Sequence, residues 1–320
     1  MLFEKKILGF YKGMMYTRCD DTESVFYFSH NDFPGLTCEA YPFPSALGHT
    51  LQGCIYSYQN PITGRLVVFD HGFGGGHRAY MKEIERLCRH GYTVFAYDHT
   101  GCMASGGESP RGLAQSLCDL NDCITAIKAD ARFAGVAISV MGHSWGAFST
   151  LNIAALHPDI THVVALCGFV SVEEMVKTFF AGLLKGYRRA VMALEKETNP
   201  VFSGYHAVTS LSTAKNTKAL LIYSADDRLC KRTHYDMLKA GLEDRENVTL
   251  WLVENKGHNP NYTEDAVKLL NAFGKARTKL LKNRRATAED KARLVAAFDF
   301  DAMTHQDEAV WERILAHLDT

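Results

Sequence analysis

Charge of one sign is missing from this sequence: 35 Lys and Arg meet 36 Asp and Glu, for a formal net charge of −1 over 320 residues. A nucleic-acid binder needs an excess of Lys and Arg to neutralise phosphates, so no such partner is expected. With 47% apolar residues the chain is not a disordered one. Long hydrophobic runs are missing too. No stretch of about 18 apolar residues occurs, so no segment is expected to span a membrane. The opening MLFEKKILGFYKGMM has neither the apolar core nor the cleavage site of a signal peptide. The nine cysteines are odd in number, scattered and without a CxxC pair, which reads as reduced thiols of a cytoplasmic protein. His71 with His77 and Cys118 with Cys123 are near neighbours in sequence, but neither pair has the further ligands a metal needs. No metal and no cofactor is expected.

What is present is a rhythm. From about residue 48 to 272, short β-rich runs alternate with helical patterns, as a mostly parallel sheet with crossover helices requires. The runs are RLVVFD (65–70), YTVFAYD (92–98), VAISVMG (136–142), HVVALCG (162–168), KALLIYS (218–224) and VTLWLVE (248–254). They are apolar at nearly every position, which burial on both sheet faces demands. The rhythm breaks between about 170 and 215. There Ser171 and Glu174 suggest a capping box, and the residues from Val172 to Tyr187 carry a broad apolar face. This reads either as an inserted helical cap or as an extra core helix. Three parts are expected: an N-terminal extension over 1–47, a catalytic domain over 48–275 with its cap at about 170–215, and a C-terminal helical extension over 276–320. VFYFS (25–29) suggests an edge strand. Thr287 and Thr304 suggest two helix starts near the end of the chain, and the six Lys and Arg of 275–285 a solvated helix face.

The strongest chemical signal is Gly142-His143-Ser144-Trp145-Gly146. It matches G-x-S-x-G directly after a buried strand and directly before a helix, the context of a nucleophile elbow. A strand that turns sharply into a helix crowds its backbone, and flanking glycines without a Cβ relieve the crowding. The serine then projects at the positive end of the helix. A serine hydroxyl is a weak nucleophile at neutral pH and needs a base. His258, in the loop after the last strand, is the best placed of 14 histidines. His143 is expected to point away from the serine and His71 to hold a loop. His234, His157 and His317 are among those read as surface or capping residues. An orienting carboxylate is expected in the turn Ser224-Ala225-Asp226-Asp227, where either aspartate fits the order serine, acid, histidine. An oxyanion hole stabilises the tetrahedral intermediate by about 3–4 kcal/mol per donor. Its N–H groups are expected from Trp145 and from the glycine-rich loop His71–Gly76, with Phe73 as the donor. That loop has no Lys-Ser/Thr of a phosphate cradle.

With these residues in hand the chain resembles the α/β-hydrolase superfamily, and within it the serine aminopeptidase S33 group that also contains monoacylglycerol lipase. HGFGG resembles the oxyanion loop, YDHTGCMASGGE (97–108) the D-x-x-G-x-G-x-S-x-G segment, and SADDRLC (224–230) the acid turn. Cys102 and Met103 stand where the family commonly has His-Gly. The resemblance covers about 48–275. It implies an α/β-hydrolase fold, a mostly parallel central sheet with helices on both faces and an inserted helical cap. It also implies that Asp227 is the acid. The expected activity is cleavage of carboxylic esters by Ser144, His258 and Asp227, with an apolar acyl ester or monoacylglycerol as small-molecule substrate. Phe179, Phe180, Leu183 and Leu184 are the candidate residues of the substrate pocket. The alternatives are an aminopeptidase or amidase, with Glu173 and Glu174 near the cap mouth, and a non-catalytic binding module.

Overall fold

The computed structural model describes residues 2–320. Eight strands form one sheet: β1 (Thr37–Pro44), β2 (Thr50–Ser57), β3 (Arg65–Asp70), β4 (Thr93–Tyr97), β5 (Ala137–His143), β6 (His162–Leu166), β7 (Lys218–Ser224) and β8 (Val248–Val253). Their order is β1-β2-β4-β3-β5-β6-β7-β8. The pairs β1–β2 and β2–β4 are antiparallel and the others parallel. The helices are α1 (Leu2–Met15), α2 (Met81–Arg89), α3 (Gln115–Ala129), α4 (Trp145–Ile153), α5 (Val172–Phe179), α6 (Arg188–Thr198), α7 (Ala207–Thr213), α8 (Arg232–Leu242), α9 (Glu264–Lys282), α10 (Ala288–Ala296), α11 (Phe300–Met303) and α12 (Glu308–Leu318). This is the α/β-hydrolase fold.

Strand periodicity divides the core in two. Leu66, Val68, Val140, Val163, Ala165 and Leu221 face one side of the sheet, packed with α3, α4 and α8. Their chain neighbours Val67, Phe69, Met141, Val164, Leu166 and Leu220 face the other side, packed with α2 and α12. Both sheet faces are therefore dry, and the runs are apolar at every position for that reason. Strand β3 lies between β4 and β5, so the chain winds outward from β3 and then returns beside it. The crevice at the carboxyl ends of β3 and β5 is the switch point at which such sheets place their chemistry.

Several expectations change. No strand forms at 25–29. Phe26 and Phe28 instead join an aromatic cluster, with Phe26 5.6 Å from the Phe300 ring and Phe28 6.0 Å from Phe33. The edge strand is β1, so the sheet begins before residue 48. Thr287 does open a helix, with a full capping box, but Thr304 closes α11 and its hydroxyl bonds back to the Phe300 carbonyl. Asp307 opens α12 instead, accepting from the Val310 N–H. Lys275, Lys279, Lys282, Arg284 and Arg285 are exposed as expected of a solvated face; Arg277 is the exception, bound to Asp21 at 2.6 Å. Among the described residues no helix is long and apolar enough to cross a membrane.

Between β6 and β7 the chain forms α5, α6 and α7 in place of one long helix. The chain leaves helical geometry at Phe180 and turns at Gly182, φ 57°. Ser171 caps α5 through the Glu174 N–H. The Glu174 side chain turns to Lys177, at 2.7 Å, so only half of the capping box forms.

Candidate active site

Ser144 sits between the last residue of β5 and the first of α4, with φ 55° and ψ −111°. A left-handed φ is costly for a residue with a Cβ and persists only where surroundings enforce it. Here the Ser144 N–H donates to the Leu166 carbonyl at 2.9 Å, and its own carbonyl accepts from Phe148 at 3.1 Å. Both elbow glycines are needed on steric grounds. A Cβ on Gly142 would strike the Thr150 hydroxyl and the Gly146 carbonyl, and one on Gly146 would strike the Asp70 carbonyl. Gly146 thus serves the contact of α4 with the end of β3.

The structure brings Ser144, His258 and Asp227 into one chain of hydrogen bonds. Ser144 Oγ lies 2.8 Å from His258 Nε2, and His258 Nδ1 lies 2.7 Å from Asp227 Oδ2. Asp227 is buried, and its other oxygen accepts from the Leu229 and Cys230 N–H groups at 2.8 and 3.2 Å. Asp226 faces the other way. It accepts from Ser224 Oγ at 2.6 Å and from the Gly257 N–H at 3.0 Å, which ties down the loop just before His258.

His143 does point away from the serine, but it has a task. Its Nε2 lies 2.7 Å from the His258 carbonyl and its Nδ1 2.8 Å from the Tyr80 hydroxyl. Burial, with the charge of His258 next, pushes its pKa down to about 3, so the ring is neutral. A neutral ring donates once. The consistent set is Nε2–H to the His258 carbonyl, Tyr80 O–H to Nδ1, and the Gly72 N–H to the Tyr80 oxygen at 3.1 Å. One relay therefore joins the glycine-rich loop to the histidine loop.

The glycine-rich loop lies beside the start of α4. The Phe73 ring packs edge-on against Trp145 at 5.1 Å, and Trp145 is anchored by its Nε1–H to the Leu113 carbonyl at 2.7 Å. The Trp145 N–H lies in the first turn of α4, where backbone donors have no partner within the helix. His71 is buried and holds its loop as expected, accepting from the His99 N–H at 2.9 Å.

The four cap residues are not brought together. Phe180 is buried with its ring 5.9 Å from Tyr11, and Phe179 is half-buried against the same core. Leu183 is 100% exposed and Leu184 37% exposed. The expected face assumed one continuous helix, and the break at Phe180 turns the two leucines outward. Glu173 and Glu174 both bind Lys177, at 2.8 and 2.7 Å. His234 is buried rather than exposed, accepting from the Val170 N–H at 3.4 Å.

Sequence reasoning missed the support beneath the site. His99 is wholly buried, with Nε2 2.7 Å from Asp70 and Nδ1 3.2 Å from Asp119. Burial opposes its charge, but the two carboxylates outweigh that and raise its pKa to about 9. Its ring lies 4.4 Å from His71 and 4.6 Å from Trp145. The signal was Asp119, a carboxylate on the apolar face of a helix, which needs a buried partner.

Residues 62–249, more than half of the chain, match the model of the family described as serine aminopeptidase, S33. A cutinase of Thermobifida cellulosilytica is 28% identical over 115 residues, 36% of this chain and 43% of that protein. A monoglyceride lipase homolog of monkeypox virus is 28% identical over 123 residues, 37% of this chain and 44% of the relative. The chain thus spans less than half the length of these curated relatives. Among solved structures, an esterase of Pyrococcus furiosus superposes with a TM-score of 0.60 at 18% identity, covering 82% of this chain and 98% of that one. A puromycin-hydrolyzing peptidase of Mycobacterium tuberculosis superposes with a TM-score of 0.55 at 14% identity, over 69% of this chain and 36% of that one.

Proposed function

We propose that this chain, which belongs to the serine aminopeptidase S33 family of hydrolases, cleaves carboxylic esters of small molecules through a serine acyl-enzyme. The observation that carries the reading is the continuous Ser144–His258–Asp227 hydrogen-bond chain at the switch point of the sheet. In this reading Ser144 Oγ attacks the ester carbonyl while His258 Nε2 takes its proton. Asp227, which accepts at Nδ1, keeps the imidazole in the tautomer that leaves Nε2 free and stabilises its cation. The N–H groups of Phe73 and Trp145 hold the oxyanion. His258 returns the proton to the leaving alkoxide. Water, activated by the same histidine, then frees the acid and restores Ser144. No cofactor or metal is needed in these steps.

The cutinase and lipase relatives support an ester over an amide. An aminopeptidase needs an unpaired carboxylate for the substrate amine, and Glu173 and Glu174 are both engaged by Lys177. The test is Ser144→Ala assayed on p-nitrophenyl esters of graded acyl length, with amino-acid arylamides in parallel. Hydrolysis by the native chain should fall by a factor on the order of 10⁴ to 10⁶ in the variant. Unchanged turnover would sink the mechanism, and faster turnover of arylamides would move the substrate class to peptides. A folded native chain that neither turns over an ester nor takes a fluorophosphonate on Ser144 would instead be a binding module.

A further inference from the structure

Two thiols outside the proposed machinery stand side by side where the N-terminal segment crosses the loop after β4. Cys19 and Cys102 form an isolated parallel bridge. The Cys19 N–H donates to the Gly101 carbonyl at 2.9 Å, and the Met103 N–H donates to the Cys19 carbonyl at 2.8 Å. These bonds set the two residues directly opposite each other, at the roughly 4.8 Å spacing of paired strands. That spacing falls within the Cα range a disulfide accepts, about 4.4–6.8 Å. The Cys19 thiol itself donates to the Thr17 carbonyl at 3.7 Å.

The surroundings give the two sulfurs different characters. Cys19 is half-buried and opens on a cleft of about 570 Å³ lined also by Arg18, Asp20, Gly74 and Arg277. Arg18 is locked beside it, donating to the Gly107 carbonyl at 2.7 Å and the Ser105 carbonyl at 2.9 Å. The Cys102 thiol, together with the Gly74 N–H and Arg18, outweighs burial and the Asp20 carboxylate and pulls the Cys19 thiol below its ordinary value. Cys102 is fully buried, and its thiol is pushed up by Cys19, by burial and by Asp119 and Asp98. A half-buried thiol with a lowered pKa beside a fully buried thiol with a raised one is the arrangement of an attacking and a resolving cysteine. Cys38 and Cys54, on paired strands, are out of register: Cys38 lies opposite Tyr56 and Cys54 opposite Ala40.

We propose that Cys19 and Cys102 are an oxidisable dithiol site that takes hydrogen peroxide and closes to a disulfide. The Cys19 thiolate attacks the peroxide oxygen, its O–O bond breaks, and hydroxide leaves to become water on protonation. Cys19 is then a sulfenic acid. The Cys102 sulfur attacks the Cys19 sulfur, the S–O bond breaks, and the hydroxyl leaves as water with the Cys102 proton. Two thiols are oxidised to one disulfide and one peroxide is reduced to two waters. The bond would lock residues 101–103 to the N-terminal segment beside Gly74, the neighbour of Phe73.

The test treats the full chain with hydrogen peroxide, blocks remaining thiols with iodoacetamide after unfolding, and digests with trypsin and a glutamyl endopeptidase. That pair of enzymes separates Cys19 from Cys38 and Cys54, by cleavage at Glu23 and Glu39. The expected result is a linked peptide joining 19–23 to 90–108, joint loss of alkylation at Cys19 and Cys102, and full reversal by dithiothreitol. In Cys19→Ser the linked peptide should be absent and Cys102 fully alkylated. The proposal is overturned if Cys19 advances to a sulfinic acid with Cys102 still alkylated, if Cys38–Cys54 is the bridge that forms, or if Cys19 does not react. The readout is independent of ester hydrolysis, so it stands or falls apart from the proposed activity.

Discussion

Asp226 and Asp227 are neighbours with the same side chain, and a few ångströms of backbone give them different work. Asp227 accepts two backbone N–H groups on one oxygen and presents the other to His258. Asp226 holds Ser224 and the Gly257 N–H. In the proposed mechanism Asp227→Asn, which keeps the volume and loses the charge, should lower kcat for ester hydrolysis by about 10⁴-fold through the wrong histidine tautomer. Asp226→Asn keeps an acceptor for both its partners and should stay within about tenfold of the native rate. Steady-state kinetics on one p-nitrophenyl ester decides the matter, and the reverse ranking would exchange their roles.

At the scale of elements, the last helix matters more than its place in the sequence suggests. Trp311 of α12 is fully buried on the second face of the sheet, under the Arg86 guanidinium at 5.4 Å, with its Nε1–H donating to Gln306 at 2.7 Å. The segment before α12 also braces the histidine loop: the Asp307 N–H donates to the Asn261 carbonyl at 2.8 Å and the Thr263 N–H to the His305 carbonyl at 3.0 Å. Trp311→Ala should cost about 3–5 kcal/mol, as large-to-small changes in cores do, read as a lower urea midpoint at unchanged slope. Leu183→Ala in the cap should stay within about 0.5 kcal/mol, since Leu183 is 100% exposed. A comparable loss at Leu183 would mean that the cap packs where the structure leaves it open.

The whole molecule combines these buried groups into a pH dependence of stability. His71 and His143 are held at about 3, chiefly by burial. In the unfolded chain both titrate near 6.5. The unfolded state therefore binds protons first as pH falls, and stability is lost progressively from about pH 6.5 towards 3. His99 has the opposite sign. Its folded value of about 9 lies above its unfolded one. Its contribution is complete below about pH 6.5 and is lost as pH rises through 9. Urea unfolding across pH should thus show a maximum near pH 6–7 with losses on both sides. In His99→Gln the alkaline loss between pH 6.5 and 9 should shrink, and an unchanged alkaline limb would refute a charged His99.

Read as a string, the chain specifies the sheet and the strand-to-helix elbow at Ser144. Burial on both faces leaves continuous apolar runs, and a sharp strand-to-helix turn leaves glycines two residues on either side of Ser144. Both are local signals, and both survive folding unchanged. The choice of His258 rested on its place in the loop after the last strand, at the carboxyl edge of the sheet. What only the tertiary structure decided lies in long-range contact. The pairing of His99 with Asp70 and Asp119, and the relay from Gly72 through Tyr80 and His143 to His258, join residues as much as 186 positions apart. Edge strands such as β1 are half-solvated and lack the apolar run that marks a central strand. The cap misled because helical periodicity says which residues share a face only while the helix continues, and it stops at Phe180. Spacing along the chain encodes backbone geometry. The partner of a buried charge is set by packing, which no periodicity records.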